Sequence, residues 1–195
     1  FVLRTLKPLL EDEGIAKRGH DLKTVVLVLA RSGITLRGLS VDSILASYLL
    51  DANRSNHVLE EVALEHLGYR AHSEEDVRGR GAKATSFATI SPEAIRSFAS
   101  ERADLAWQLS GKLSPLIISE GLEAVYRELE MPLIPVLVDI ERAGVLVDLP
   151  LLASQSRHLE QELASYTARI YELAREEFNI NSPPQLGRIL FEKLA

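Results

Sequence analysis

The sequence contains no cysteine. That excludes disulfides, thiolate-bound zinc and thiol nucleophiles, and it is compatible with a reducing cytoplasm, the compartment expected here. No apolar run approaches the ~20 residues that a bilayer-spanning helix needs, so no membrane partner is expected. An excess of positive charge is also missing. The net charge is −6, with 15 basic and 15 acidic residues over 1–112 but 7 against 13 over 113–195. Strong nucleic-acid binding by this chain alone is not what that balance predicts. There is no initiator Met and no signal-peptide layout. Phe1-Val2-Leu3-Arg4 reads as a stretch already inside a helix, so the chain is expected to be a piece of something longer. Walker-type phosphate loops and nucleophile elbows are absent too.

What is there is the composition of a folded globular protein, 46% hydrophobic and 26% charged. The periodicity predicts an α/β chain, predominantly helical. A helix over 2–12 places Val2, Leu3, Leu6, Leu9 and Leu10 on one side. Short strands are expected at 15–18 and 34–39, separated by a helix over 22–32 that Asp21 caps. Asp42 precedes an apolar helix over 44–50. A further helix over 57–66 turns Val58, Leu59 and Val62 inward. Two strands make only a truncated parallel sheet. Residues 70–90 read as a polar loop. Ser91-Pro92-Glu93 is a strong helix start, and that helix is expected to run to about Leu109, with Gly111 ending it. From Ser114 the chain reads as nearly all helical, with Pro115 in a first turn and Pro132 and Pro135 kinking an apolar run. Gly144 reads as a C-cap, and Val145 to Val147 as a brief extended piece. Leu152, Leu159, Leu163, Tyr166, Ile170 and Leu173 form one apolar stripe, read as a packing surface. Ser182-Pro183-Pro184-Gln185 reads as a capping box.

Five segments, in order, resemble bacterial family-A DNA polymerases of the DNA polymerase I type. They are Leu6-Lys7-Pro8-Leu9-Leu10; Asp42 to Asp51; Glu130-Met131-Pro132-Leu133-Ile134-Pro135-Val136-Leu137; Glu141-Arg142-Ala143-Gly144-Val145; and Phe178 to Leu186 followed by Leu190-Phe191. The resemblance covers nearly the whole chain. It implies part of a ribonuclease H-like 3'→5' exonuclease-like domain over residues 1–115. Residues 116–195 would be the helical segment at the base of the polymerase thumb. It also implies a DNA primer-template as partner of the parent and Mg²⁺ as the parent's cofactor. For this fragment no metal, small-molecule cofactor or polymerase catalytic residue is expected, because the palm carboxylates would lie beyond Ala195.

Active members of the family cut with two divalent metals held by carboxylates, since such cations prefer hard oxygen ligands. One stretch carrying those ligands would lie upstream of Phe1. In the second, Leu22-Lys23 fixes the register so that Asp21 stands at the Asn place and Val25 at a metal-binding Asp place. In the third, Phe98 takes a Tyr place and Arg102 an Asp place. A valine offers no oxygen, a phenylalanine no hydroxyl, and a guanidinium places fixed positive charge where a dication would sit. The exonuclease is therefore expected to be inactive, with Val25 and Phe98 in the core and Arg102 paired with an acid such as Asp21.

The five histidines, His20, His57, His66, His72 and His158, lack metal-site spacing, and His20 beside Asp21 suits a surface or capping role. Arg78, Arg80 and Lys83, in a glycine-containing loop, form a candidate DNA-phosphate contact. The same loop is also readable as a solvated one, balanced by Glu74, Glu75 and Asp76. Trp107 among Leu105, Ala106 and Leu109 reads as core. The alternative to a polymerase fragment is a non-catalytic DNA-binding or scaffold module.

Overall fold

A computed structural model describes residues 2–194. The chain divides after Gly144 into two units. The expected division at 115/116 falls inside a continuous helix of the first unit.

The first unit begins with α1 (Val2–Glu11), whose apolar residues Val2, Leu3, Leu6 and Leu9 are exposed. The helix is tied instead by polar contacts. Lys7 Nζ donates to Gly33 O at 2.7 Å, and Glu11 Oε1 accepts from Thr35 N at 2.9 Å. Arg37 N donates to Leu10 O. These bonds occupy the backbone of 34–37, so the strand expected there forms later in the chain. β1 (Lys17–Gly19) pairs in parallel with β2 (Leu39–Asp42), Gly19 opposite Asp42. The shift pivots on Gly38, where φ is +70° and a Cβ would stand 2.5 Å from Ile15 O. Only glycine fits both conditions.

α2 (Leu22–Arg31) links the strands, and α3 (Ser43–Leu50) starts directly from the end of β2. α4 (Leu59–Leu67) follows, with Val58 as an exposed N-cap residue and not inward. Residues expected to be loop contain α5 (Glu74–Arg78), which Ser73 and Asp76 close with a true capping box, and two single 3₁₀ turns, Gly81–Lys83 and Phe87–Thr89.

α6 (Pro92–Ser119) starts as expected, with Ser91 Oγ accepting from Ala94 N at 3.2 Å. It then runs straight through Gly111 and Pro115 for 28 residues. Tertiary burial overrides both breakers. Leu105, Leu109, Leu113 and Ile117 recur every four residues and pack with Ala46, Leu59, Val62 and Ala63 into one core. Burying one such leucine contributes roughly 2 kcal/mol, more than the ~1 kcal/mol an interior glycine costs.

α7 (Glu123–Val125) passes through a π-helical turn (Tyr126–Glu130) into α8 (Met131–Ala143). Met131 N bonds to Tyr126 O, five residues back. The irregularity expected at the prolines thus lies one turn ahead of Pro132, where a missing N–H disturbs the ladder least. Ile134 and Val138 of α8 pack on Leu22 of α2. Gly144 ends α8 with φ +72°.

In the second unit α9 (Leu149–Ala174) is capped by Asp148, whose Oδ1 accepts from Leu151 N at 2.9 Å. α10 (Pro183–Arg188) runs into a π turn, Ile189–Lys193. Ala174, Phe178 and Ile189 are buried here, and Tyr171 Oη donates to Phe178 O. Of the expected stripe, only Ile170 joins this cluster. Leu152, Leu159, Leu163, Tyr166 and Leu173 are exposed, because the short α10 reaches only the last turns of a 26-residue helix. The expected capping box is also replaced. Ser182 makes no side-chain cap bond, and Gln185 Oε1 accepts from Asn179 N instead.

Tyr126 joins the π turn to the sheet. Asp42 N donates to Tyr126 Oη at 2.7 Å, and that hydroxyl donates to Asp42 O at 3.0 Å, all buried. Tyr126→Phe orphans both backbone groups, and the expected loss is about 2 kcal/mol of stability, read from the urea midpoint. A variant as stable as the parent chain would contradict this assignment.

Candidate functional site

β2 ends on a carboxylate that organises the site. Asp42 Oδ1 accepts from Asp21 N and Ile44 N, both at 3.0 Å, and Oδ2 accepts from Leu22 N at 2.7 Å. One buried side chain thus caps the starts of α2 and α3 together. Burial pushes its acid strength down, raising the pKa, and the three N–H donors oppose that shift. Asp21 can then adopt a left-handed backbone, φ 60°, and cap α2 as expected, its Oδ1 accepting from Thr24 N at 3.3 Å.

His20 is half-buried, at the edge of the cleft described below. Its Nδ1 lies 2.9 Å from Ser43 Oγ, which in turn donates to Gly19 O at 3.1 Å. Burial, and then the positive charge of Arg102, lower its pKa to about 4. The imidazole is neutral at physiological pH.

A cleft of about 630 Å³ opens beside this cluster. Asp21 and Val25 line it from α2, Glu60 from α4, Glu74 from α5 and Arg102 from α6. The fold therefore brings three of the four expected exonuclease-position residues into one cavity. The fourth, Phe98, lies one turn before Arg102 on α6 and is buried, as expected. Val25 is 39% exposed, a cleft-wall residue and not core. Arg102 does not pair with Asp21. Its Nη1 bonds Glu60 Oε1 at 2.5 Å, and its guanidinium lies 5.1 Å from the centre of the Phe98 ring. Asp21 is held by the cap it forms, which leaves Glu60, in the first turn of α4, as Arg102's acid.

The other carboxylates of the region are similarly engaged. Glu61 faces Arg54 at 3.6 Å and Glu74 faces Arg78 at 3.1 Å. Glu101 turns away from the cleft, accepting from Tyr69 Oη at 2.7 Å and from His72 N at 3.0 Å. Asp104 accepts from Gln108. Among the described residues no group of three or more His, Asp or Glu is placed to hold a metal ion.

In the candidate DNA loop, Arg78 Nε donates to Thr85 O at 2.9 Å and its guanidinium covers the Phe87 ring at 4.9 Å. Arg80 Nε meets Glu75 Oε2 at 2.6 Å. Lys83 is exposed at the end of the first 3₁₀ turn. Trp107, expected in the core, is 61% exposed, with the Arg18 guanidinium 4.8 Å from its ring. Nothing in the sequence marked Asp42 as a double cap, Glu60 as the partner of Arg102, or Tyr126 as a latch. The acidic first turn of α4 and the Asp-Ser start of α3 were the only local signals.

The pKa of His20 sets a pH dependence. The unfolded chain binds a proton below about 6.5, and the folded chain only below about 4. Stability is therefore greatest above pH 6.5 and falls as pH drops toward 4, by roughly 2–3 kcal/mol from this group. Asp42, shifted upward, titrates in the opposite sense. His20→Gln should flatten the fall between pH 6.5 and 4 in urea titrations, and an unchanged slope would contradict the assignment.

Residues 3–109 match the family described as DNA polymerase I, ribonuclease H-like domain. The DNA polymerase I of Pseudomonas aeruginosa is 43% identical over 197 residues, covering 100% of this chain and 22% of that protein. Those of Rhizobium leguminosarum and Geobacillus stearothermophilus are 40% and 37% identical, over 99% and 95% of this chain and 19% and 21% of theirs. The chain thus spans about a fifth of the length of these relatives. In fold, it is similar to the POL domain of Pol1 from M. smegmatis, solved in complex with DNA primer-template and dNTP. The TM-score is 0.77 at 24% identity, over 98% of this chain and 30% of that one. The chain belongs to the family of the DNA polymerase I ribonuclease H-like domain.

Proposed function

We propose that this chain is a section of a cytoplasmic DNA polymerase I acting in DNA replication and repair, and that its ribonuclease H-like part is a non-catalytic platform beside the polymerase domain. The relatives along its whole length support the first half of that reading. The parent's partner is then a DNA primer-template and its cofactor Mg²⁺, used by residues outside this chain.

One observation carries the second half: the guanidinium of Arg102, paired with Glu60, stands in the cleft at the position where the resemblance implies a metal-binding aspartate. A dication brought there meets a fixed positive charge, a valine and carboxylates already engaged by other groups. The donor set does not fit a divalent metal, so no cleavage step is derived from it. The loop arginines serve the protein in this reading, since Arg78 and Arg80 face Glu74 and Glu75. Contact with phosphate falls to Lys83 and is weak at physiological salt.

Two assays test the halves separately. The full-length parent should extend a primer on a template with Mg²⁺, and no incorporation would overturn the polymerase reading. The full-length parent should also leave a 3'-labelled strand intact with Mg²⁺ or Mn²⁺ when nucleotides are withheld. Chelator-sensitive shortening of that strand would overturn the platform reading. Tight gel-shift binding of primer-template by the chain itself would favour a DNA-binding module.

A further inference from the structure

Phe98 and Arg102 are joined to two residues of the 70–90 region by a continuous stack. The Arg102 guanidinium lies 5.1 Å from the Phe98 ring centre, Phe98 stacks on Phe87 at 6.1 Å with 24° between planes, and Arg78 covers Phe87 at 4.9 Å. Each cationic end is held by an acid, Arg102 by Glu60 and Arg78 by Glu74. The column joins α6 to α5 and to the 3₁₀ turn at Phe87–Thr89. A two-way backbone and side-chain contact closes its outer end. Thr85 N donates to Arg78 O at 2.7 Å, and Arg78 Nε donates to Thr85 O. Ser73 and Glu74, at the start of α5, and Arg102, at the inner end of the column, all line the same cleft.

We propose that residues 79–90 form a strap that this four-member column locks against α6 at the rim of the cleft. Phe98 and Arg102 then have a positive role. They form the inner half of the lock, the benzene ring as the stacking face and the guanidinium as its planar cap. The strap carries few other anchors. Its aliphatic and aromatic residues, Phe87 included, lie outside the buried core. The aromatic pair and the two cation–π contacts each add a modest stabilisation beyond the area they bury. Together these terms set the free energy of local opening, which is separate from that of global unfolding. The inference rests on the geometry of the stack and not on the polymerase reading.

Limited trypsin digestion of the 195-residue chain reads the strap directly, because Arg80 and Lys83 lie within it. Phe87→Ala should speed cleavage after these two residues by about tenfold, the factor that ~1.4 kcal/mol of lost stacking gives. Cleavage after Arg31 and Lys112, inside α2 and α6, should keep its rate. Phe87→Tyr, which keeps the ring, should behave as the parent chain. Arg102→Lys retains the charge facing Glu60 but loses the planar face. It should also speed cleavage at Arg80 and Lys83, about twenty positions away along the chain, which only the column would transmit. Should Phe87→Ala loosen the whole fold, Phe87→Leu with hydrogen exchange at amides 81–90 provides the same reading with the apolar bulk kept. Parent-like cleavage in both Phe87→Ala and Arg102→Lys, or parent-like exchange in Phe87→Leu, would overturn the proposal.

Discussion

The first unit depends on Asp42. Its carboxylate accepts the first free N–H groups of α2 and of α3, and its backbone is clasped on both sides by the Tyr126 hydroxyl. Both side chains are buried, and burial holds the phenol far above its usual range, at about 12. Tyr126 therefore stays protonated, and a donor to Asp42 O, at physiological pH. A helix start leaves N–H groups that water cannot reach once the end is buried. Two such ends meet at one point here, and a single acid satisfies both. The same residue ends β2, so strand, two helices and π turn share one fixed point.

From that point the cleft follows. With Asp21 committed to capping α2, Arg102 is left to Glu60, and His20, held on Ser43, adds a neutral imidazole to the wall. Of the carboxylates that line the cleft, Glu60 faces Arg102, Glu61 faces Arg54 and Glu74 faces Arg78. The exposed apolar residues of α9 are the opposite situation. They satisfy the helix period but find no partner within their own unit, because the helix that follows is too short to cover them.

Local chemistry can be overruled where burial is large. Gly111 and Pro115 do not break α6, because four residues at four-residue spacing bury themselves on α3 and α4. Inside that helix the serine hydroxyls are satisfied locally, Ser110 Oγ donating to Ala106 O and Ser114 Oγ to Ser110 O, each at 2.7 Å. In the opposite direction, residues 34–37 have the composition of a strand but spend their backbone on α1. Trp107 shows the same limit, since its apolar sequence neighbours lie on a different face of α6 from its own.

By itself the sequence determined the helix starts at Asp21, Asp42 and Ser91, the C-cap at Gly144, and the identity of the family, because capping, left-handed glycine and ordered motifs are read from residues near one another in the chain. It also marked Asp21, Val25, Phe98 and Arg102 as one group, since helical spacing and motif register placed them. Tertiary structure alone decided their partners. Arg102 met Glu60 across 42 positions of sequence and Tyr126 met Asp42 across 84. Such contacts depend on which helix faces meet in space, and no local pattern encodes that.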